Sequence, residues 1–581
     1  MSISTDPTTN GHSASGDLYS NLSGRWHASA PRRVAGADDW NNGSRGWQAW
    51  RKYLAHEHRA RNLRRWLKVH EPTDPPTMPG VDIETSLVRW LDDAHDAPTN
   101  DALAAEALAW ARSLAALAEE ISADVWWRAL GRFVELSETS ATMPHTSAPV
   151  AWQLAAVELP LTLAYQFPEL AACRELVPRA IERLATTVEE FLDASGLPQA
   201  EYLALLRPML ASWTRSRALC EKLDDARWPE PLAQRFDVAV LNALRLSRRD
   251  RSQTFDPADA ARPSLEWLVH AARLTGDRTT VRIAKNAVDA GERRLPSKKS
   301  PSPAVQSEPA ELGLLRSDWS RGSARLAIAY AQRRVLGELS IGKHLLIAGD
   351  CAIEMRFNGL PAVAETDWEQ VCWESDDRAD YLELEMALAG GFRVQRQMLL
   401  ARDDHFALVA DAVLCPHPAD VGYRAAWPLA SDMSFEPARD SSEGWLSDGR
   451  RRALVLPLAL PEWRSQPGPG TLTNDHGKLV YELRAAKARA LYAPLFFDLR
   501  PKRFAKRFTW RRLTVAESRV TQPVDVAAGY RVHIGNAQWL VYRSLSEGVS
   551  RTVLGHHLFS EYLAARFTAS GTVEPVMEIE G

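Results

Sequence analysis

Apolar residues recur at a spacing near 3.6 through the first half of this chain and near 2 through the second. The helical period predicts helices over 101–121, 125–136, 150–166, 176–192, 202–223, 231–246, 263–274 and 280–294. The first is rich in Ala and Leu, and the second carries Trp126, Trp127 and Phe133. The third presents Trp152, Leu154, Val157, Leu161 and Leu163 on one broad face. Breaks fall at Ser195-Gly196-Leu197-Pro198, Trp228-Pro229-Glu230-Pro231 and Asp256-Pro257. Upstream, Trp47, Trp50, Tyr53, Leu54, Leu63, Trp66 and Leu67 also recur at roughly helical spacing. About ten helices joined by short loops form an α/α array, a bundle, solenoid or toroid without the fixed period of a strict repeat.

The run Pro296-Ser297-Lys298-Lys299-Ser300-Pro301-Ser302-Pro303 excludes a helix and reads as a semi-extended linker. Beyond it, Tyr381-Leu382-Glu383-Leu384-Glu385-Met386 and 392–399 alternate. Arg402-Asp403-Asp404-His405 reads as a turn, with a returning strand over 406–414. Further strands are expected over 345–357, 453–460, 479–484, 508–517, 530–534, 538–545 and 572–579. Many short strands with turn signals predict an antiparallel β-sandwich. The expected organisation is multidomain α and β: a disordered tail over 1–45, a helical domain over 46–295, the linker over 296–310 and the sandwich over 311–581. A length of 581 residues fits about two to four domains.

Composition narrows the partners. The formal net charge is −4, so no global field recruits nucleic acid or an anionic membrane. The segment 51–70, with seven Lys/Arg and one Glu, is basic and could touch nucleic acid or a membrane surface; the plainer reading is the solvated face of a docking helix. No apolar run is long enough to span a bilayer, and no secretory leader is visible, which gives a cytoplasmic expectation. Five scattered cysteines without a C-x-x-C pair indicate neither a disulfide framework nor a zinc site. His56-Glu57-His58 lacks the second histidine of H-E-x-x-H, since Ala60 stands there. His556 and His557 would point to opposite faces of a strand. No metal or cofactor is therefore expected, and neither a phosphate-binding loop nor a G-x-S-x-G elbow occurs. The 21 tryptophans suit cores and domain interfaces first and sugar-stacking clefts second.

Local motifs add a resemblance. Glu158-Leu159-Pro160-Leu161-Thr162-Leu163-Ala164 followed by Phe167-Pro168-Glu169-Leu170 resembles the toroid helix of heparinase II/III-type polysaccharide lyases. Asp193, Gly196 and Glu201-Tyr202 are similar to that family's Asp-Gly…Glu…Tyr-His segment. Leu314-Leu315-Arg316-Ser317-Asp318-Trp319 and 338–347 resemble the first strands of its sandwich. The likeness covers about 145–415 and implies an α/α toroid-like domain followed by the sandwich.

The resemblance also implies a chemistry. Elimination at a uronate needs a group to neutralise the carboxylate, a base for the α-proton and an acid for the leaving oxygen. Gln153 stands where the family has an Asn neutraliser, and Tyr202 stands at the Tyr of the Tyr-His pair. Leu203 replaces the adjoining His, and Tyr330-Ala331-Gln332-Arg333 replaces a His-containing stretch. His145, before the toroid helix, is a third catalytic candidate, with His270, His344 and His405 as other sources of an imidazole. Arg333 and Arg334 could pair with a uronate carboxylate, and Trp152 and Glu201 complete the candidate substrate contacts. The plainer readings are a helix tyrosine for Tyr202, a helix-surface amide for Gln153 and a solvated loop histidine for His145. Two functional classes stay open: a protein acting on or binding uronate-containing polysaccharide, by β-elimination if active, and an inactive glycan-binding or interaction scaffold.

Overall fold

The computed structural model describes residues 82–93, 101–118, 120–223, 226–256, 265–288, 300–546, 549–568 and 571–580. The expected tail, the aromatic stretch at 47–67 and the basic segment at 51–70 lie outside them. The chain divides into two compact units. One comprises Met1–Pro198, Leu205–Ala243 and Ser264–Ala284; the other comprises Gln199–Ala204, Leu244–Pro263 and Lys285–Gly581.

The first unit is helical. Ile83–Asp93, Asp101–Leu117, Ala123–Ser140, Val177–Phe191, Leu206–Cys220 and Glu266–Leu274 are among its helices. Tryptophan builds its core: Trp126, Trp127 and Trp213 are fully buried. Trp126 meets Trp127 and Phe167 edge-on at 4.7 and 5.4 Å and donates Nε1 to the Leu114 carbonyl at 2.8 Å. The helix expected over 150–166 is interrupted by a π-helical turn, Gln153–Glu158, between Pro149–Trp152 and Leu159–Gln166. The cause is local. Pro160 has no N–H to offer the Ala156 carbonyl four residues back, and Arg183 Nη1 donates to that carbonyl instead at 3.2 Å.

The second unit is β-rich; its described residues form four antiparallel sheets of five, eleven, five and four strands. The eleven-stranded sheet is buried on both faces. One face packs Leu382, Leu384, Val394 and Met398 with Leu315, Leu326, Ile328 and Leu339 of the first five-stranded sheet. The other packs Tyr381, Leu399, Phe406 and Phe496 with Trp510, Val532, Trp539 and Tyr562 of the second. The four-stranded sheet packs on that second sheet through Val515, Val553, Leu540 and Leu563. The expected sandwich is thus extended into stacked layers. Double burial also explains the near-continuous apolar runs, such as Met398-Leu399-Leu400-Ala401.

Several boundaries differ from the sequence reading. Residues 345–357 form two strands in different sheets, His344–Asp350 and Ala352–Phe357, which part at Cys351. Residues 508–517 likewise split into Phe508–Leu513 and Val515–Glu517. The last part of the expected linker is not a free connector. Val305–Ser307 pairs antiparallel with Leu312–Arg316, Trp319 Nε1 donates to the Pro301 carbonyl at 2.8 Å, and Arg245 Nη2 donates to the Ser302 carbonyl at 2.9 Å.

Two excursions from the helical half belong to the β-rich unit. Residues 244–256 dock through Arg248, which forks onto buried Glu338 at 2.9 and 2.6 Å, and through the Phe255 N–H, which reaches the same carboxylate at 2.9 Å. The 3₁₀ turn Ala200–Leu205 is tied by Ala200 N to the Ala310 carbonyl at 2.9 Å and by Gln253 Nε2 to the Leu203 carbonyl at 2.7 Å. That second docking carries Glu201 and Tyr202 onto the β-rich unit.

Candidate functional site

The seven candidate residues fall in two places. In the helical unit, Gln153 is fully buried on the π-helical turn, not at a helix surface. Its Nε2 donates to Ser212 Oγ at 3.2 Å, and its Oε1 has no protein partner. The same turn ends in Glu158, also fully buried, which Arg215 grips through Nε at 2.5 Å and Nη2 at 2.9 Å and Arg112 through Nη2 at 2.6 Å. Burial opposes this charge, yet Arg215 and Arg112, with Ser212, hold the carboxyl below its ordinary value. Trp152 is buried and donates Nε1 to the Met143 carbonyl at 3.1 Å. His145 lies against the Trp152 ring, 5.8 Å between centroids, and its Nε2 meets Glu190 at 2.6 Å.

The other four gather on the β-rich unit. Tyr202 is 45% exposed. Its neighbour Glu201 is within electrostatic reach of Glu311, whose carboxyl is pushed above its ordinary value by burial, then by Asp367 and Glu201. Asp367 in turn pairs with Arg333 Nε at 3.0 Å. Arg333 follows Gln332 in left-handed backbone, φ 62° and 52°, which places Arg333 and Arg334 at the rim of a cavity of about 570 Å³. The histidines of this unit go elsewhere. His344 Nδ1 meets Asp448 at 3.0 Å, beside a cavity of about 140 Å³. His405 sits in a turn where burial and then Arg500 and Arg503 keep it below its ordinary pKa. His270 belongs to the helical unit.

Sequence reasoning missed the larger cavity itself. Besides Arg333 and Arg334 it is lined by Arg356, Arg424 and Arg484, by the carboxylates Asp350, Glu354 and Glu482, and by Trp368. Behind it lies a buried support. Arg396 forks onto Asp411 at 2.8 and 2.9 Å, donates Nη1 to the Cys351 carbonyl at 2.7 Å, and stands 5.6 Å from the Trp368 ring centroid. Tyr423 donates its hydroxyl to the same Asp411 at 2.6 Å. One signal lay in the sequence. Glu354-Met355-Arg356, Gly422-Tyr423-Arg424 and Glu482-Leu483-Arg484 each place an arginine two residues after a charged or absent side chain, on one face of a strand. Among the described residues no group of His, Cys, Asp and Glu could hold a metal ion. No described helix is long and apolar enough to cross a membrane.

A helical array followed by stacked antiparallel sheets is a polysaccharide-lyase-like architecture. Solved structures make the likeness specific. The heparan sulfate lyase HepC of Pedobacter heparinus superposes with a TM-score of 0.53 at 12% identity, over 94% of this chain and 92% of that one. A structure of heparinase III gives 0.53 at 10% identity over 94% of both chains. A second, the BT4657 gene product, gives 0.53 at 11% over 94% of this chain and 93% of that one. The chain thus has the fold of heparinase III-type lyases. No protein-family model matches the sequence, and no curated protein matches it.

Proposed function

We propose that this protein binds an acidic, uronate-bearing polysaccharide on a polysaccharide-lyase scaffold, with the arginine-lined cavity of the β-rich unit as a principal contact. The observation that carries the reading is that cavity, lined by five arginines against three carboxylates. The solved relatives include a heparan sulfate lyase, and the ligand class follows the same chemistry of an anionic glycan. Titration of the whole chain with heparan sulfate, alginate, pectate, hyaluronan and chondroitin tests it. Saturable, salt-sensitive binding to at least one polymer is expected. Absence of binding to all of them at low salt overturns it.

Turnover is the second reading, favoured by the position of Tyr202. The half-exposed phenol is carried on the turn docked beside Glu311, which links through Asp367 to Arg333 at the cavity rim. In an elimination a base takes the α-proton, the C–O bond to the leaving sugar breaks as the C=C bond forms, and an acid protonates the departing oxygen. Tyr202 is the proton-transfer candidate. The expected readout is ultraviolet absorbance from the unsaturated uronate, lost in Tyr202→Phe. Binding without that absorbance assigns the scaffold reading and removes Tyr202 from any chemical role.

A further inference from the structure

One face of the β-rich unit is patterned in rows. The strand Ala352–Phe357 and the strand Lys478–Asp498 flank the second half of the long strand Phe406–Pro428. Register places Arg424 between Glu354 and Glu482, and Gly422 between Arg356 and Arg484. In the first row the one cation is taken up by the protein's own carboxylates. Arg424 reaches Glu354 at 3.2 Å, Glu482 at 3.4 Å and Asp475 at 3.1 Å. The second row has the opposite order and no such closure. Two guanidiniums flank a residue without a side chain, and all three residues line the cavity. Arg356 Nη1 donates only to the Gly359 carbonyl, at 3.3 Å, and among the described residues neither Arg356 nor Arg484 makes an ion pair. Their backbones stand two strand spacings apart, about 10 Å.

The fold does not require a glycine at 422. Its backbone is not in the left-handed region, and an added Cβ would meet only ordinary contacts, 3.6 Å from Arg356 Cβ and 4.0 Å from the Arg356 carbonyl oxygen. What the glycine leaves is an open position between two cations. From this juxtaposition we infer that the row Arg356–Gly422–Arg484 is a seat for one carboxylate of the ligand, placed over Gly422 and bridged by the two guanidiniums. The row beneath shows the inverse arrangement with the protein's own carboxylates, one arginine between two glutamates. A planar two-oxygen anion matches the fork of each arginine. The seat rests on the acidic-glycan reading and deepens it by assigning the cavity a uronate specificity.

The test supplies the missing charge from the protein. Gly422→Asp puts a carboxylate into the row, where it pairs with the two arginines and closes the seat. Calorimetric titration of the whole chain with alginate, which carries carboxylates only, and with dextran sulfate, which carries sulfates only, reads the result. The expectation is that Gly422→Asp and the double variant Arg356→Gln/Arg484→Gln each weaken alginate binding roughly ten- to a hundredfold. Gly422→Ala should keep it within about twofold, as the space allows. Unfolding midpoints check that Gly422→Asp is folded. Unchanged alginate affinity in folded Gly422→Asp overturns the seat while leaving the acidic-glycan reading intact. Loss of dextran sulfate binding alone overturns its assignment to a carboxylate. Wild-type protein that binds neither these nor the other acidic polymers overturns both.

Discussion

Asp411 is the most informative single position for the support behind the cavity. It is fully buried on the central sheet and accepts two hydrogen bonds from Arg396 and one from Tyr423. Burial opposes the charge on Arg396, yet Asp411 more than compensates and holds the guanidinium above its ordinary pKa. Asp411→Ala leaves that guanidinium 1% exposed without its counter-ion, and the Tyr423 hydroxyl without its acceptor. A stranded buried charge costs about 3–5 kcal/mol and the lost hydroxyl acceptor about 1 kcal/mol. The sum is a large share of a typical stability of roughly 5–15 kcal/mol. Arg396 also touches the Cys351 carbonyl and faces Trp368, so the same change should loosen the cavity wall. Denaturant unfolding of the whole chain, with hydrogen exchange over 392–414, reads both effects. The double variant Arg396→Met/Asp411→Leu should recover most of the loss, because it removes both charges together. An Asp411→Ala cost below about 1 kcal/mol, or a double variant no better than the single, refutes the view that the pair is held by mutual compensation.

Three further outcomes follow from the same physics. Glu158 has a folded-state pKa below its ordinary value, so its contribution is present above the unfolded carboxylate pKa and is lost as pH falls through the lower, folded one. Glu158→Gln should therefore destabilise the helical unit by about 3 kcal/mol or more at neutral pH and flatten its acid unfolding followed by circular dichroism. Glu311 has the opposite sign: its raised pKa means the charged form is disfavoured in the fold, so stability is gained as pH falls. Glu311→Gln should raise the melting temperature at neutral pH, with the gain vanishing on acidification. Gly470 pairs with Leu483, and a Cβ there would overlap the backbone carbonyl of Glu482. Gly470→Ala should cost about 1–3 kcal/mol in denaturant unfolding and weaken polymer binding by shifting a cavity strand.

Helices such as Val177–Phe191 were legible because they bury one face, which leaves a 3.6-residue period; Leu159–Gln166 is buried nearly all round and was legible from its length and breaks instead. The π-helical turn was legible only as Pro160; its placement depends on Arg183, a long-range partner no periodicity shows. The β-half was harder. Residues 485–490 read Ala-Ala-Lys-Ala-Arg-Ala, a helix-favouring composition, yet they belong to the strand Lys478–Asp498: an irregular stretch pairs Ala485 with Val421 and Ala488 with Ala419, and a regular ladder pairs 490–498 with Leu414 to Phe406. Pairing with the neighbouring strand overrides propensity here.

The candidate site divides along the same line. Glu201, Tyr202, Arg333 and Arg334 could be named from local motifs, and the structure sets them on one unit through the docking of Ala200 and the chain of charges from Glu201 to Arg333. Arg356, Gly422 and Arg484 could not: each strand shows its own i, i+2 charge pattern, but the three positions are separated by 66 and 62 residues and nothing local joins them. Only the register makes them a row. A carboxylate in place of Gly422 would have completed the charge pattern of the row below; its absence acquires meaning only once the two flanking strands are paired. Charge recognition on a sheet is therefore written across strands, and the glycine matters for the space it leaves between two cations.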